Sequence, residues 1–155
     1  MKYQVKPMEE HEAIEYLQWR YPEPYTFYNV PAAGFDECLA EILAPDNGTD
    51  YYAVYRKGSY YGIFCFNYQS QDLELGLGIR PEECGKHHGR QFTLAAVDYI
   101  RRNLLFKGRI WLRVADFNER AQRSYEGAGF KPFDQQLAIS WHGLTNFIHM
   151  ELPET

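Results

Sequence analysis

Apolar positions along the chain repeat with two spacings, one typical of helices and the other typical of strands. The longest helical pattern carries Leu94, Val97, Ile100 and Leu104, which are spaced to share one buried face. The pattern predicts four helices, at residues 9–20, 35–43, 89–105 and 119–126.

Proline and glycine mark where two of these helices end. The second helix is followed by Pro45 and Asn47-Gly48, and the fourth by Gly127 or Gly129. Proline lacks a backbone N–H and cannot continue a helix, whereas glycine readily adopts the left-handed conformation that ends one. Both segments are therefore expected to be short helices.

Alternating and continuous apolar runs predict the strands. Lys57-Gly58-Ser59 separates two such runs and is typical of a tight hairpin turn, and a second turn is expected near His142-Gly143. The strands are predicted at residues 3–6, 51–56, 60–68, 72–80, 109–115, 136–141 and 146–152. This order of elements predicts an α/β (α+β) fold, in which helices pack on a mixed sheet.

Length and charge restrict the class of protein. The chain has 155 residues, which predicts a single domain spanning residues 1–155. Its net charge of −5 argues against nonspecific nucleic-acid binding, which needs a basic surface. Because no apolar run approaches the roughly 20 residues of a membrane helix and no secretory signal is visible, we expect no membrane association and a cytoplasmic location.

The cysteines and histidines are not spaced as metal ligands. Cys38, Cys65 and Cys84 are far apart and include no C-x-x-C pair, so we expect free thiols. His87 and His88 are adjacent and would point apart, which makes a poor chelate. We therefore expect no metal site.

A strand, a glycine-containing turn and the longest helix follow one another in the middle of the chain. The turn, residues 84–90, would place free backbone N–H groups at the positive end of the helix dipole, where a phosphate is the natural ligand. Lys86 and Arg90 would add positive charge. The turn has neither the G-K-[ST] of a Walker A loop nor the G-x-G-x-x-G of a dinucleotide site. From these residues alone, a turn that binds no ligand is an equal alternative.

A second motif follows one strand later. It matches the pattern N-x-x-A-x-x-x-Y-x-x-x-G-F through Asn118, Ala121, Tyr125, Gly129 and Phe130. Together with the preceding turn, it resembles the GCN5-related N-acetyltransferase (GNAT) superfamily, over residues 72 to 130. The resemblance implies a mostly antiparallel central sheet of seven strands flanked by four helices.

The resemblance also implies acetyl-CoA as cosubstrate, with no metal. In the family, the turn has the pattern [Q/R]-x-x-G-x-[G/A] and binds the coenzyme A pyrophosphate. This chain has Cys84 at the first position, His87 in place of the central glycine and Gly89 at the last position. The resemblance assigns the coenzyme contacts to Leu77, Gly78, Ile79, Gly85, Lys86, His87, His88, Gly89, Arg90 and Asn118.

Two residues of the second motif have implied roles and structural alternatives. Tyr125 stands where the family places the group that protonates the departing thiolate, and an ordinary phenol is protonated at neutral pH because its pKa is about 10. The alternative is a tyrosine that only packs in the core. Asn118 is expected to contact the coenzyme, to cap the helix that it precedes, or to do both.

Glu74 is the candidate general base. Strand alternation puts Glu74, Gly76 and Gly78 on one face and the neighbouring leucines on the other. The glycines leave room for an amine beside the carboxylate, and some relatives carry a glutamate at this place. The alternatives are a solvated carboxylate at a sheet edge, or an ordered water as the base.

The acceptor is the least defined part of the reaction. Residues 19–30 hold five aromatic side chains around two prolines, and in this family the corresponding segment helps to wall the acceptor site. Such a wall suits an apolar or cationic amine, although the segment could equally be a loop that covers the core.

The resemblance therefore predicts an acetyl-CoA-dependent N-acetyltransferase that acts on a primary amine of a small molecule. The alternatives are a protein N-terminal or lysine acetyltransferase, and a coenzyme A-binding domain that has lost turnover. The oligomeric state is left open, with a homodimer as one option.

Overall fold

The computed structural model describes residues 2–44 and 48–153. In these ranges the chain forms seven strands and four α-helices, in the predicted order. The elements are β1 (Gln4–Pro7), α1 (Glu10–Leu17), α2 (Phe35–Leu43), β2 (Thr49–Arg56), β3 (Ser59–Gln69), β4 (Asp72–Ile79), α3 (Gly89–Arg102), β5 (Arg109–Ala115), α4 (Glu119–Gly127), β6 (Lys131–Ser140) and β7 (Gly143–Leu152).

All the strands belong to one sheet, in the order β1-β2-β3-β4-β5-β7-β6. β4 and β5 are parallel, and every other neighbouring pair is antiparallel. Parallel neighbours need a crossover connection, which α3 supplies here. The predicted α/β (α+β) fold, with a mixed and mostly antiparallel sheet, is confirmed.

The helices cover both faces of the sheet. The larger core lies under α3 and α4 and includes the fully buried rings of Phe64 and Phe66 on β3. Ile63, which points to the other face, packs in the core beside α1 with Ala53 and Trp19. Burial of an aliphatic or aromatic side chain contributes about 1.5–3 kcal/mol to stability. Both faces therefore hold the central strands in place.

The buried face of α3 differs from the predicted one. Leu94 was expected in the core but is 38% exposed, whereas Ile100 is fully buried as expected. The buried face still follows helical spacing, but it starts at Phe92 and not at Leu94. Phe92 fills the space under β3, where its ring contacts that of Phe64, and this contact sets the rotation of the helix. The buried positions are Phe92, Thr93, Ala96 and Ile100.

Two helices are shorter than predicted, and each has a local reason. α1 ends at Leu17 because the Nη1 atom of Arg20 donates to the carbonyl oxygen of Leu17 at 3.0 Å, which satisfies a free helix end. α3 ends at Arg102, and Leu105 has a φ of 55°, which lies outside the helical region.

The residues expected to end the other two helices can be placed only in part. Gly129, with a φ of 102°, is the glycine that follows α4 in the left-handed region, and Gly127 is still helical. Pro45 and Asn47, expected after α2, lie outside the described residues.

Both predicted hairpins are present, but only the first has the predicted turn and strand limits close to those observed. Lys57 and Gly58 have φ values of 54° and 79° and form the two-residue turn between β2 and β3. The second hairpin is longer than predicted, since β6 begins at Lys131 rather than at residue 136. β6 is an exposed edge strand with a bulge near Phe133, so its first half has no alternating apolar pattern to read.

Candidate active site

The strands β4 and β5 separate in the middle of the sheet and open a cleft. They pair only through residues 72–74 and 109–111, and their later residues have no ladder between them. The opening is a cleft of about 850 Å³, which is walled by both strands, the turn before α3 and the first turns of α4. Ligands of α/β proteins commonly bind where parallel strands diverge in this way.

The turn before α3 presents unpaired backbone donors to the cleft. Gly85 and His87 have φ values of 77° and 63°, and such left-handed residues turn successive N–H groups toward a common point. In the described part of the chain, the N–H groups of residues 85–91 have no hydrogen-bond partner. The positive end of the α3 dipole lies at the same place. The arrangement suits an anion.

His87 occupies the left-handed position at which the family pattern has glycine. A residue with a Cβ pays about 1–2 kcal/mol to adopt this conformation, whereas glycine does not. The backbone of the turn thus keeps the glycine-like geometry even though the side chain is an imidazole.

Gly89 is favoured by helix packing, although the family pattern allows glycine or alanine at its position. A Cβ on Gly89 would overlap the Oγ atom of Ser124 and lie 3.0 Å from its Cβ. Ser124 belongs to α4, so the missing side chain at Gly89 allows α3 and α4 to approach each other closely. This approach sets the position of the turn relative to α4.

Most of the residues predicted to contact the coenzyme line this cleft. Lys86 does not, and its Nζ atom lies 3.3 Å from a carboxylate oxygen of Glu83. Arg90 lines the cleft, but its Nε atom donates to the carbonyl oxygen of Gly127 at 2.8 Å and so ties α3 to the end of α4. The predicted residues on the cleft wall are Leu77, Gly78, Ile79, Gly85, His87, His88, Gly89, Arg90 and Asn118.

Tyr125 lies on α4 with its side chain directed into the cleft wall. Burial raises the pKa of the Tyr125 phenol above its ordinary value, so the hydroxyl keeps its proton at neutral pH. Among the described residues, the hydroxyl has no hydrogen-bond partner, although the ring packs at 6.4 Å from Phe130. The ring packs against the core, and the role of the hydroxyl as a proton donor stays a prediction.

Glu74 lines the same cleft but is already paired. The Nε and Nη2 atoms of Arg113 donate to its two carboxylate oxygens at 2.7 and 3.2 Å, and the Nε2 atom of Gln69 donates at 3.0 Å. The neighbouring leucines, Leu73 and Leu75, are buried on the opposite face, as alternation predicted. An amine that approaches Glu74 has to compete with Arg113 for its oxygen atoms.

Asn118 uses both ends of its amide inside the protein. Its Oδ1 atom accepts from the N–H of Ala121 at 3.1 Å, which makes it the N-cap of α4. Its Nδ2 atom donates to the hydroxyl of Tyr28 at 2.8 Å. The capping role is thus observed, and one amide hydrogen is left for the predicted coenzyme contact.

The aromatic segment at residues 21–28 forms part of the cleft wall. Tyr21, Tyr25 and Tyr28 line the cleft, whereas Trp19 is buried in the core beside α1. The hydroxyl of Tyr21 donates to the carbonyl oxygen of Ile79 at 2.7 Å, which fixes the segment over the end of β4. The segment therefore lines the cleft and also covers the core, and its role as a wall of the acceptor site stays a prediction.

The cleft wall includes further residues that sequence reasoning did not select, among them Arg113, Phe117 and Arg120. Strand alternation on β5 puts Arg113 on the face opposite to the buried Leu112 and could have revealed it. Arg120 falls at an unspecified position of the second motif, so the motif gave no reason to select it.

The described residues include no group of three or more His, Cys, Asp or Glu side chains placed to hold a metal ion. In the same ranges, the helices are all too short or too polar to cross a membrane.

The sequence matches the acetyltransferase (GNAT) domain family over residues 4–131. A chimera of the spermidine N-acetyltransferase SpeG from Vibrio cholerae and hSSAT has a similar structure, with a TM-score of 0.75 and 22% identity over 99% of this chain and 96% of that chain. The Vibrio cholerae spermidine/spermine N-acetyltransferase SpeG in complex with manganese ions has a TM-score of 0.75 and 21% identity, over 98% of this chain and 92% of that chain. None of the curated proteins compared matches the sequence.

The family match includes the strands that form the cleft, the turn before α3 and the whole of α4. The similar structures show the same fold. The chain belongs to the acetyltransferase (GNAT) domain family and is an N-acetyltransferase, as the motif around Asn118 and Tyr125 implied.

Proposed function

We propose that this N-acetyltransferase transfers the acetyl group of acetyl-CoA directly to a primary amine of a small molecule. The observation that carries the proposal is the turn at residues 85–91, whose N–H groups are unpaired in the described structure at the N-terminus of α3. The free donors of the cleft-lining residues and the helix dipole fit a pyrophosphate, which is an anionic part of coenzyme A.

The residues beyond this turn fit the reacting end of such a substrate. The amine nitrogen would form a bond to the thioester carbonyl carbon, the carbon–sulfur bond would break, and the thiolate would take a proton. Tyr125 fits the last step because burial keeps its phenol protonated. Glu74 fits the removal of the amine proton if the acceptor displaces Arg113 from one carboxylate oxygen.

The acceptor is proposed to be a cationic small molecule. Tyr21, Tyr28 and Phe117 line the cleft with aromatic rings, which suit a cation, and the net charge of −5 favours its approach. The similar solved proteins are spermidine N-acetyltransferases, so polyamines are the first acceptors to test.

One alternative concerns the acceptor, and another concerns the activity. A protein N-terminus or a lysine side chain also presents a primary amine. A coenzyme A-binding domain without turnover is favoured by Cys84 and His87, which depart from the family pattern. Cys84 donates weakly to the carbonyl oxygen of Ile79 at 3.5 Å, in the position where the family has a longer polar side chain.

The test is release of free thiol from acetyl-CoA over a panel of polyamines, other small amines, and peptides with a free N-terminus or lysine. Turnover that is highest with a small amine supports the proposal, and turnover with peptides alone supports the protein-directed alternative. Thermal stabilisation by coenzyme A without turnover on any amine would identify a binding domain.

A cytoplasmic homodimer is part of the proposal as well. β6 is the edge strand of the sheet, and its side chains Leu137 and Ile139 are 65% and 88% exposed. An exposed apolar edge strand readily pairs with another strand. Sedimentation velocity of the wild type and of Ile139→Lys tests this, since a dimer built on β6 is expected to dissociate in the variant.

A further inference from the structure

Arg120 is an arginine whose charge the protein leaves unpaired. Its guanidinium carbon lies 4.2 Å from the centre of the Tyr25 ring, a close cation–π contact. In the described part of the chain, its side chain makes no ion pair and donates no hydrogen bond. By contrast, Arg113 and Arg109 on the neighbouring strand β5 are each held by carboxylates.

The guanidinium of Arg120 faces the turn that presents the free backbone donors. A Cβ added to Gly85 would lie 3.5 Å from the Nη1 atom of Arg120. Arg120 therefore reaches the cleft-lining turn from α4 at Gly85, the first of the residues whose N–H groups are unpaired in the described structure. Stacking on a ring uses the face of the guanidinium and leaves the N–H donors at its edge for a ligand.

We propose that Arg120 binds a phosphate of the cosubstrate together with the free N–H groups of the turn, and that the Tyr25 ring holds the guanidinium in position for it. This inference rests on the proposed use of acetyl-CoA. Planar guanidinium groups pair with phosphate oxygens through two parallel hydrogen bonds, which a point charge does not match. A side chain that is already ordered also loses less entropy when the phosphate binds.

The inference links the two sides of the cleft. Tyr25 belongs to the aromatic segment proposed to wall the acceptor, and that segment is fixed by the hydrogen bonds of Tyr21 to Ile79 and of Tyr28 to Asn118. Removing the Tyr25 ring should therefore weaken binding of the cosubstrate, although the ring itself carries no group that recognises phosphate.

The first experiment measures binding of coenzyme A, dephospho-coenzyme A and pantetheine by calorimetry. Arg120→Ala is expected to weaken coenzyme A binding by about 10- to 100-fold, the scale of a hydrogen bond to a charged group, and to leave pantetheine binding unchanged. An equal loss with dephospho-coenzyme A assigns Arg120 to the pyrophosphate, and a loss confined to coenzyme A assigns it to the 3′-phosphate. The first result supports the proposal, whereas the second contradicts it, because Arg120 would then not share a phosphate with the turn.

Arg102→Ala is the matched control for charge. Arg102 lies at the end of α3 and pairs with Asp98 at 2.8 Å, so its removal changes the net charge equally without touching the cleft. If the two variants weaken coenzyme A binding to the same extent, the effect is one of overall charge and the proposal is wrong. Thermal unfolding of each variant shows that the fold is kept.

The second experiment separates the ring of Tyr25 from its hydroxyl. Tyr25→Phe keeps the ring face and should bind coenzyme A as tightly as the wild type, whereas Tyr25→Leu should lose about 2- to 5-fold in affinity, the scale of an exposed cation–π contact. In an Arg120→Ala background, Tyr25→Leu should have no further effect. If Tyr25→Leu weakens coenzyme A binding as much in the Arg120→Ala background as in the wild type, Tyr25 does not act by positioning Arg120.

The result for the wild type distinguishes failure of this inference from failure of the proposed function. If the wild-type protein does not bind coenzyme A, both the proposed function and the proposed role of Arg120 are wrong. If the wild type binds coenzyme A more tightly than pantetheine but Arg120→Ala binds coenzyme A as the wild type does, only the proposed role of Arg120 is wrong.

Discussion

The two ends of the cleft are built in opposite ways. At the turn before α3, the N–H groups of residues 85–91 and the guanidinium of Arg120 are left without hydrogen-bond partners in the described structure. At the other end, Glu74 is paired with Arg113 and Gln69. Free donors are ready to bind an anion at once, whereas paired groups must exchange partners before they can act on a substrate.

This difference suggests a division of work between binding and reaction. The turn supplies affinity for a phosphate-bearing molecule, largely through backbone N–H groups, which any substitution other than proline leaves in place. The other end supplies side chains whose loss should change turnover more than affinity. The following variants test this division, beginning with the largest expected effect.

Tyr125→Phe removes one hydroxyl and keeps the packing of the ring. If the hydroxyl protonates the departing thiolate, turnover should fall by about 10- to 1000-fold, the scale of a single general acid. Coenzyme A affinity, measured by calorimetry, should barely change. Near-full turnover, with chemistry shown to be rate-limiting, would assign the proton to a water or another residue.

Glu74→Gln tests the paired end through its pH dependence. If Glu74 takes the amine proton, turnover should fall by about 10- to 100-fold at neutral pH and recover partly as the pH rises, because the acceptor then loses its proton to solvent. Arg113→Gln is the matched variant, because it removes the guanidinium that pairs with the Glu74 carboxylate and keeps Glu74 itself. A loss in Glu74→Gln that does not vary with pH would indicate that Glu74 positions the acceptor.

Gly89→Ala tests the helix contact that sets the turn. The added methyl group would overlap Ser124, so the free energy of unfolding should fall by about 1–3 kcal/mol. Ser124→Ala in the same chain should restore part of this stability in chemical denaturation. Unchanged stability of the single variant would mean that α3 and α4 can separate without cost.

His87→Gly has the smallest expected effect. Since His87 has a φ of 63°, glycine should raise the free energy of unfolding by up to about 1 kcal/mol. His88→Gly is the control, because His88 has a φ of −98° and should gain nothing from the change. Coenzyme A should bind as tightly or more tightly to His87→Gly, and a marked loss would show that the imidazole contacts the ligand.

The sequence revealed the parts of the fold in which local and tertiary signals agree. α2 and β5 have the predicted limits, because each is bounded by a clear change in pattern. The first half of β6 was missed because its residues are exposed and interrupted by Pro132. Leu94 was misplaced because helical spacing gives a stripe but not the rotation that Phe92 imposes.

The candidate site shows a similar limit. The motifs located the turn and Tyr125, since these positions have fixed spacing along the chain. The pairing of Glu74 with Arg113 joins different strands, and the contact of Arg120 with Tyr25 joins elements that are far apart in sequence. Spacing within one segment carries no information about such contacts, which depend on how the sheet and helices pack.

The measurement that tests the central claim most directly is amide hydrogen exchange with and without coenzyme A. The N–H groups of residues 85–91 should become protected when coenzyme A binds but not when pantetheine binds, because the phosphates would then accept their hydrogen bonds. The turn at Lys57 and Gly58, which has similar left-handed backbone angles, should exchange at the same rate in every sample. Unchanged exchange at residues 85–91 under saturating coenzyme A would contradict the account.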